Sequence, residues 1–244
     1  MRYLIISDVH ANLAAFEAVL DSAGDFDKIW CLGDMVGYGP DPNKCIARLR
    51  EFDHICVAGN HDWAVLGRLD LEDFNPDAKR ACRWTQAWLT PESRAYLESL
   101  PTTLIEEGFT LVHGSPRQPI WEYVLYPSTA GLNFKHFGTQ FCLIGHTHNP
   151  VIFRLEMQDF GEYCGLVLPS LDGPMPLGEA RLLINPGSVG QPRDGDARAS
   201  YVLFDLEHHT IEYRRVSYPI EETQRRMAEA GLPERLISRL AFGW

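Results

Sequence analysis

Arg2 to Ser7 is a mostly apolar run that ends at Asp8, and it reads as a buried strand. Leu13, Phe16, Val19 and Leu20 then recur at helical spacing, with Gly24 placed to stop that helix. Lys28 to Leu32 predicts a second strand, ending at Gly33-Asp34, and a Gly/Pro-rich loop follows from Gly37 to Pro42. A helix over Asn43 to Arg50 leads to a third strand, Ile55 to Ala58, which runs into Gly59-Asn60-His61. This alternation predicts a sheet flanked by helices. From Trp63 to Leu100 no strand pattern occurs, and Pro76 and Pro91 mark the starts of two helices. Strands resume at Thr103 to Ile105 and Phe109 to Val112, a helix lies near Thr129 to Phe137, and another strand covers Phe141 to Ile144. Val151 to Leu155, Leu166 to Leu168, Leu182 to Ile184, Tyr201 to Leu206 and Ile211 to Val216 complete the predicted strands. Pro169 to Gly178 reads as a loop, and Pro219 to Trp244 as a helical C-terminal appendage. There is no internal repeat.

A length of 244 residues suits one large α/β domain, or one domain with a small appendage. No stretch reaches the ~20 apolar residues that span a bilayer, and Met1 to Ser7 lack the pattern of a secretory leader. Six cysteines lie mostly in apolar runs and none forms a C-x-x-C pair, which argues against a disulfide framework or a zinc ribbon. The expectation is a cytoplasmic protein in a reducing compartment, without a membrane partner. The formal net charge of −11 opposes duplex nucleic acid. It leaves room for a small phosphate ester, because bound metal reverses the sign locally.

Polar residues gather where the predicted strands end: Ser7-Asp8-Val9-His10, Gly33-Asp34, Gly59-Asn60-His61-Asp62, His113-Gly114 and Gly145-His146-Thr147-His148. Ligand sites of open α/β sheets form at the carboxyl ends of strands, so these five segments are expected to converge. Imidazole and carboxylate together suit a divalent metal, and the D-x-H and H-x-H spacings place alternate side chains on one side of extended backbone. Each segment alone has a plainer reading. A single Asp-x-His is usually a solvated turn, Asp34 alone a turn or capping residue, and Asn12 is best read as the N-cap of the following helix. Five such segments in this order outweigh those readings.

The series Asp8-x-His10, Gly33-Asp34, Gly59-Asn60-His61-Asp62, His113-Gly114 and Gly145-His146-x-His148 resembles the calcineurin-like metallophosphoesterase superfamily. Within it, the segments from Gly33 to Pro40 and from Asn185 to Arg193 resemble the small bacterial and archaeal phosphodiesterase branch. The resemblance runs from about Arg2 to Val216. It implies an α/β fold of four layers, two mixed β-sheets flanked by helices. The expected organisation is a metallophosphoesterase domain over residues 1–218, with a helical insertion near 63–100, and an appendage over 219–244. It further implies two divalent metal ions, of manganese, iron, zinc or nickel. Asp8, His10 and His148 would hold one, Asn60, His113 and His146 the other, and Asp34 would bridge them. A bridging hydroxide would attack the phosphorus of a small phosphate ester, with His61 as general acid. Asp62 either orients His61 or is a turn residue. Arg193 and Arg117 are candidate substrate contacts, since a guanidinium fork suits phosphate. The competing reading makes them surface arginines paired with acids such as Asp194 or Asp196.

Two departures bear on substrate class. The protein phosphatases and diadenosine tetraphosphatases of the superfamily carry an arginine shortly after the bridging aspartate, and glutamate after Gly-Asn-His. Here Met35 to Pro40 hold no arginine, and Asp62 stands in the glutamate's place. The expectation is therefore a phosphodiesterase, with a phosphomonoesterase or nucleotide phosphatase as the alternative. A metal-binding scaffold of the same fold is a third reading, disfavoured because His61 and every ligand position are kept. The helical additions are candidate places for substrate choice or for assembly into a homo-oligomer. Trp84 and Trp88 stand at helical spacing and read as packing residues, and Trp121 as a core or interface aromatic.

Overall fold

The computed structural model describes residues 1–159 and 161–244. The chain opens with strand β1 (Arg2–Ile6), helix α1 (Leu13–Ala23), β2 (Lys28–Cys31), α2 (Pro42–Leu49), β3 (His54–Cys56) and α3 (Asn60–Val65). Helices α4 (Pro76–Trp88) and α5 (Pro91–Ser99) follow, then β4 (Thr103–Glu106), β5 (Phe109–Val112), α6 (Pro127–Asn133) and β6 (Phe141–Leu143). The last third holds β7 (Val151–Gln158), β8 (Gly161–Val167), β9 (Met175–Pro176), β10 (Arg181–Asn185), β11 (Ala199–Asp205), β12 (Thr210–Val216), α7 (Ile220–Glu229) and α8 (Glu234–Arg239). Proline stands at the start of α2, α4, α5 and α6, where its missing N–H costs nothing and its fixed φ suits the first turn.

Two six-stranded mixed sheets result, in the orders β3-β2-β1-β11-β12-β9 and β4-β5-β6-β10-β7-β8. The alternation along β1 shows why both of its faces are apolar. Tyr3 and Ile5 point into the core between the sheets, with Trp30, Phe109, Phe141 and Phe204. Leu4 and Ile6 point the other way, onto Phe16 and Val19 of α1. A strand buried on both sides reads as a continuous apolar run, and each large side chain fully buried there contributes roughly 1.5–3 kcal/mol. On the far side of the second sheet, Ala130 and Phe134 cover Phe153 and Leu183. The layers are thus helices, sheet, sheet and helix, as the resemblance implies.

Boundaries depart from the predicted ones where pattern and pairing conflict. The third strand stops at Cys56: Val57 makes the last bond to β2, donating to the Cys31 carbonyl, and Ala58 turns away to the Pro101 carbonyl. The strand predicted at Leu166 to Leu168 is the end of the longer β8, an exposed edge strand with no burial alternation to read. Inside the predicted loop from Pro169 to Gly178, Met175–Pro176 pairs with β12. The helix predicted near Thr129 to Phe137 is Pro127–Asn133.

The segments outside the predicted sheet core meet each other. Ala78 and Ala81 of α4 pack with Met227 of α7, with Leu232, Leu236, Ile237 and Leu240, and with Tyr38. The Thr223 hydroxyl donates to Asn12 Oδ1 at 2.9 Å, and Arg226 pairs with Asp41. No helix among the described residues is long and apolar enough to cross a membrane. All six cysteines are free thiols.

Candidate metal centre

Six strands of the two sheets deliver polar residues to one place. Ser7 to His10 follow β1, Asp34 follows β2, Asn60 and His61 follow β3, His113 follows β5, His146 and His148 follow β6, and the Asn185 to Gln191 turn follows β10. β1, β2 and β3 are mutually parallel, as are β5, β6 and β10, so their carboxyl ends meet at the rim of the sandwich. The backbone turns hard there. Asp8, His10, Asp34, His146 and His148 all take positive φ, between 48° and 65°. Non-glycine residues in that region store strain, and such strain concentrates at functional sites.

Glycines make the room. A side chain at Gly59 would collide with Asp34, and one at Gly145 with Ser7, so these two allow close approach rather than a left-handed turn. Gly37, by contrast, has φ of 88°, and a Cβ there would sit 2.5 Å from His61 Nδ1.

Side-chain orientation follows from backbone carbonyls. Nδ1 of His10 lies 3.1 Å from the Val36 carbonyl, that of His113 2.8 Å from Leu32, and that of His148 2.5 Å from Gln191. A carbonyl only accepts, so each Nδ1 carries a proton, and the Nε2 of each ring that is neutral, His10 and His148 among them, turns a lone pair inward. Two of these proton-free nitrogens, on His10 and His148, then face each other at 3.1 Å. His113 Nε2 is 3.1 Å from Asn60 Oδ1 and 3.2 Å from His146 Nδ1. Each aspartate gives one oxygen to the fold. Asp8 Oδ2 accepts from the Ser7 hydroxyl at 2.6 Å and the His146 amide at 3.1 Å, and Asp34 Oδ1 accepts from the His61 amide at 2.8 Å. The other oxygens, Asp8 Oδ1 and Asp34 Oδ2, are buried with no hydrogen-bond partner. Asp8 Oδ1 lies 3.2 Å from His148 Nε2, while Asp34 Oδ2 reaches both ways, 3.7 Å from His10 Nε2 and 3.4 Å from His113 Nε2.

Lone pairs aimed at lone pairs and bare buried carboxylate oxygens repel unless a cation lies among them. The donor set fits a divalent metal. Three groupings bring their donor atoms together closely enough to hold an ion: Asp8-His10-His148, His10-Asp34-His61 and Asp34-His113-His146. Protonation agrees. Burial pushes His10, His146 and His148 below the usual imidazole value, and His61 down to about 4. Burial opposes a charge on His113 as well, but Asp34 beside it prevails and raises that ring to about 10. Burial alone would raise the carboxyls of Asp8 and Asp34. His148 beside the first and His113 beside the second outweigh it and hold both well below the usual range.

The remaining predicted residues divide. Asn12 Oδ1 accepts from the Ala15 amide at 3.2 Å, as an N-cap does, and its amide donates to the Gly190 carbonyl at 2.9 Å. Asp62 does not hold the His61 ring. Its carboxylate accepts from the amides of Asp34 and Gly59 at 2.9 Å and of Val36 at 3.3 Å. It thereby fixes the turn that carries Asp34. We expect Asp62→Ala to strand these three buried N–H groups and cost about 2–4 kcal/mol, read as a lower urea midpoint at unchanged slope. Full stability in that variant would contradict the assignment. Arg193 faces the cluster, donating to Gln191 Oε1 at 3.1 Å and to the Tyr38 hydroxyl at 3.3 Å. Asp194 and Asp196, its alternative partners, pair instead with Arg215 and Arg198. Arg117 pairs with Glu122, which also accepts from the Ser115 hydroxyl and the Asn133 amide, so its guanidinium is committed there.

Several further side chains crowd the histidine rings. The Tyr38 ring is 4.5 Å from His10 and 4.3 Å from His61, and the Tyr123 ring is 3.8 Å from His146. Phe74 meets His61 and Trp121 edge-on, and Trp121 lies 6.2 Å from His146. Cys82 Sγ sits 3.3 Å from His61 Nδ1. Tyr38 lies in the loop after β2, inside the segment from Gly33 to Pro40, whereas Phe74, Cys82 of α4, and Trp121 and Tyr123 of the loop after β5 lie outside the motifs.

Fold and donor set together define a metal-site phosphoesterase architecture. Residues 1–209 match the family model of the calcineurin-like phosphoesterase superfamily domain, and the chain belongs to that family. It is 50% identical to a metallophosphoesterase from Sphaerobacter thermophilus, whose crystal structure it matches with a TM-score of 0.90 over 100% of both chains. It is 40% identical to the uncharacterised protein MJ0912 of Methanocaldococcus jannaschii, over 98% of this chain and 97% of that one. The fold also matches the hypothetical protein PH1004 from Pyrococcus horikoshii, at 20% identity and a TM-score of 0.80, over 100% of this chain and 98% of that one.

Proposed function

We propose that this chain is a dinuclear metal-dependent phosphodiesterase acting on small phosphate esters. The observation that carries the reading is the pair of buried, unpartnered carboxylate oxygens, Asp8 Oδ1 and Asp34 Oδ2, set among inward-facing imidazole lone pairs. Asp8, His10 and His148 would hold one ion, and Asn60, His113 and His146 the other. Asp34 would serve both, since its Oδ2 lies within 3.7 Å of a nitrogen from each group. Two such ions would supply positive charge to the phosphate and make a water acidic enough to act as nucleophile near neutral pH. Manganese, iron, zinc and nickel all suit this mixture of imidazole and oxygen donors.

The chain's own residues do the rest. Arg193 binds a non-reacting phosphate oxygen through its guanidinium fork. His61, wedged between Tyr38 and Phe74, hands a proton to the departing oxygen. Burial leaves the free ring neutral at pH 7, and the arriving phosphate anion is what favours its protonated form. Phe74, Trp121 and Tyr123 form an apolar wall against the leaving group. Free, mostly buried thiols support a reducing, cytoplasmic setting.

The test is to strip the metal, restore manganese, and assay bis-p-nitrophenyl phosphate beside p-nitrophenyl phosphate. Metal-dependent turnover of the diester with little of the monoester is the expected outcome. Preference for the monoester would make the protein a phosphatase, and no turnover of either with metal bound would favour a scaffold. Metal should also stabilise the fold. At about 100-fold above the dissociation constant the gain is ~2.7 kcal/mol, or roughly 5–10 °C in Tm at this size. A Tm unmoved by manganese would count against the assigned ligands.

A further inference from the structure

Beside the cluster lies a polar cavity of about 280 Å³, lined by Tyr38, Tyr123, Arg193, Arg235 and Arg239 among others. Its inner wall is the two tyrosines that rest on His10, His61 and His146, so it opens beside the metal centre. Its outer wall is α8, which brings Arg235 and Arg239 and is anchored by Leu236, Ile237 and Leu240 against Tyr38 and α4.

The charge balance of this cavity is unusual for a chain of net charge −11. Three guanidinium groups face it, and Asp77 is the one acid on its lining. Arg193 donates to neutral groups, Tyr38 and Gln191, and Arg239 to the main-chain oxygen of Trp244. Arg193 Nε is buried with no partner. Burial, and then the nearby Arg193 and Arg235, push Arg239 down to about 10. Like charges gathered at a cavity lower their mutual repulsion when an anion enters. One carboxylate is satisfied by a single bidentate arginine, whereas a doubly charged phosphate monoester has the charge and the oxygens for several.

We propose that this cavity is a second phosphate subsite, and that the substrate is a phosphate ester carrying another phosphate group beside the scissile one. The inference rests on the phosphoesterase reading above and names its substrate class. Arg193, between the cluster and the cavity, would touch both phosphates, while Arg235 and Arg239 would touch the second alone.

A matched pair of substrates tests this on the manganese-loaded protein: the p-nitrophenyl ester of thymidine 5′-phosphate, and the same diester with a 3′-phosphate. We expect kcat/KM to favour the 3′-phosphorylated compound by about tenfold or more, mostly through KM. Arg235→Glu, at an exposed position outside the core, should bring that ratio close to one, and Arg239→Gln should lower it. A ratio near one in the unaltered protein, or one that neither variant moves, overturns the second subsite while leaving the diesterase reading intact. Absence of metal-dependent turnover of both compounds overturns the phosphoesterase reading and this inference with it.

Discussion

Replacing Asp34 by Asn is expected to empty both metal positions at once while leaving the fold intact. Its two oxygens have separate duties. Oδ1 accepts the His61 amide at 2.8 Å, and Oδ2 stands bare between His10 and His113. An asparagine can keep the first bond by presenting its oxygen there. It then turns an NH2 group toward the place where two cations would share a negative charge. The residue also sits at φ of 52° with its amide held by Asp62, a conformation asparagine tolerates well. The variant should therefore fold and fail to hold metal. Elemental analysis should show well under one ion per chain. Turnover should fall by more than the roughly 10–100-fold that follows loss of a group outside the coordination sphere. Two tightly bound ions with near-normal turnover would remove Asp34 from the bridging role.

The same residue shows what a sequence can and cannot disclose. Gly33-Asp34 after an apolar run announces a strand end with a carboxylate on it, and the order of five such ends leads to the family. The fold was legible because β1, β2, β5, β6 and β10 are buried on both faces, which writes burial into the sequence as unbroken apolar runs. β8 was poorly legible for the opposite reason. As an exposed edge it obeys no burial pattern, and its pairing with β7 decides where it begins. β9 has two residues, and only its register against β12 makes it a strand.

At the site, residue types were readable and supports were not. The groups that orient His10, His113 and His148 are the backbone carbonyls of Val36, Leu32 and Gln191, which carry no side-chain identity. Asp62 stood in the motif, but its work, gathering three backbone amides, could not be told from spacing. It lies on the first turn of α3, where a carboxylate at the third position folds back onto the turn. Tyr38, Tyr123 and Trp121 reach the histidines through long-range packing. The arginines of α8 line the adjoining cavity, although a helical pattern alone would assign them to a solvated face.

His61→Ala separates the proton from the metal. The imidazole is packed against Tyr38 at 4.3 Å and Phe74 at 5.4 Å, with Nδ1 near Cys82, and Gly37 leaves the space it occupies. None of the bonds that orient Asp8, His10, His113, His146 or His148 passes through that ring. The backbone amide of residue 61 remains to hold Asp34 Oδ1. Metal content should thus stay at the level of the unaltered protein. The loss should depend on the leaving group. A p-nitrophenolate departs without a proton, so its release should slow little. An alkoxide needs one, and its release should fall by about 10²–10⁴-fold. The steeper dependence of rate on leaving-group basicity, measured over a series of aryl and alkyl diesters, is a readout that mere loosening of the site would not produce. An equal loss across the series would make His61 a residue that positions substrate, and an unchanged rate with alkyl esters would take it out of the reaction.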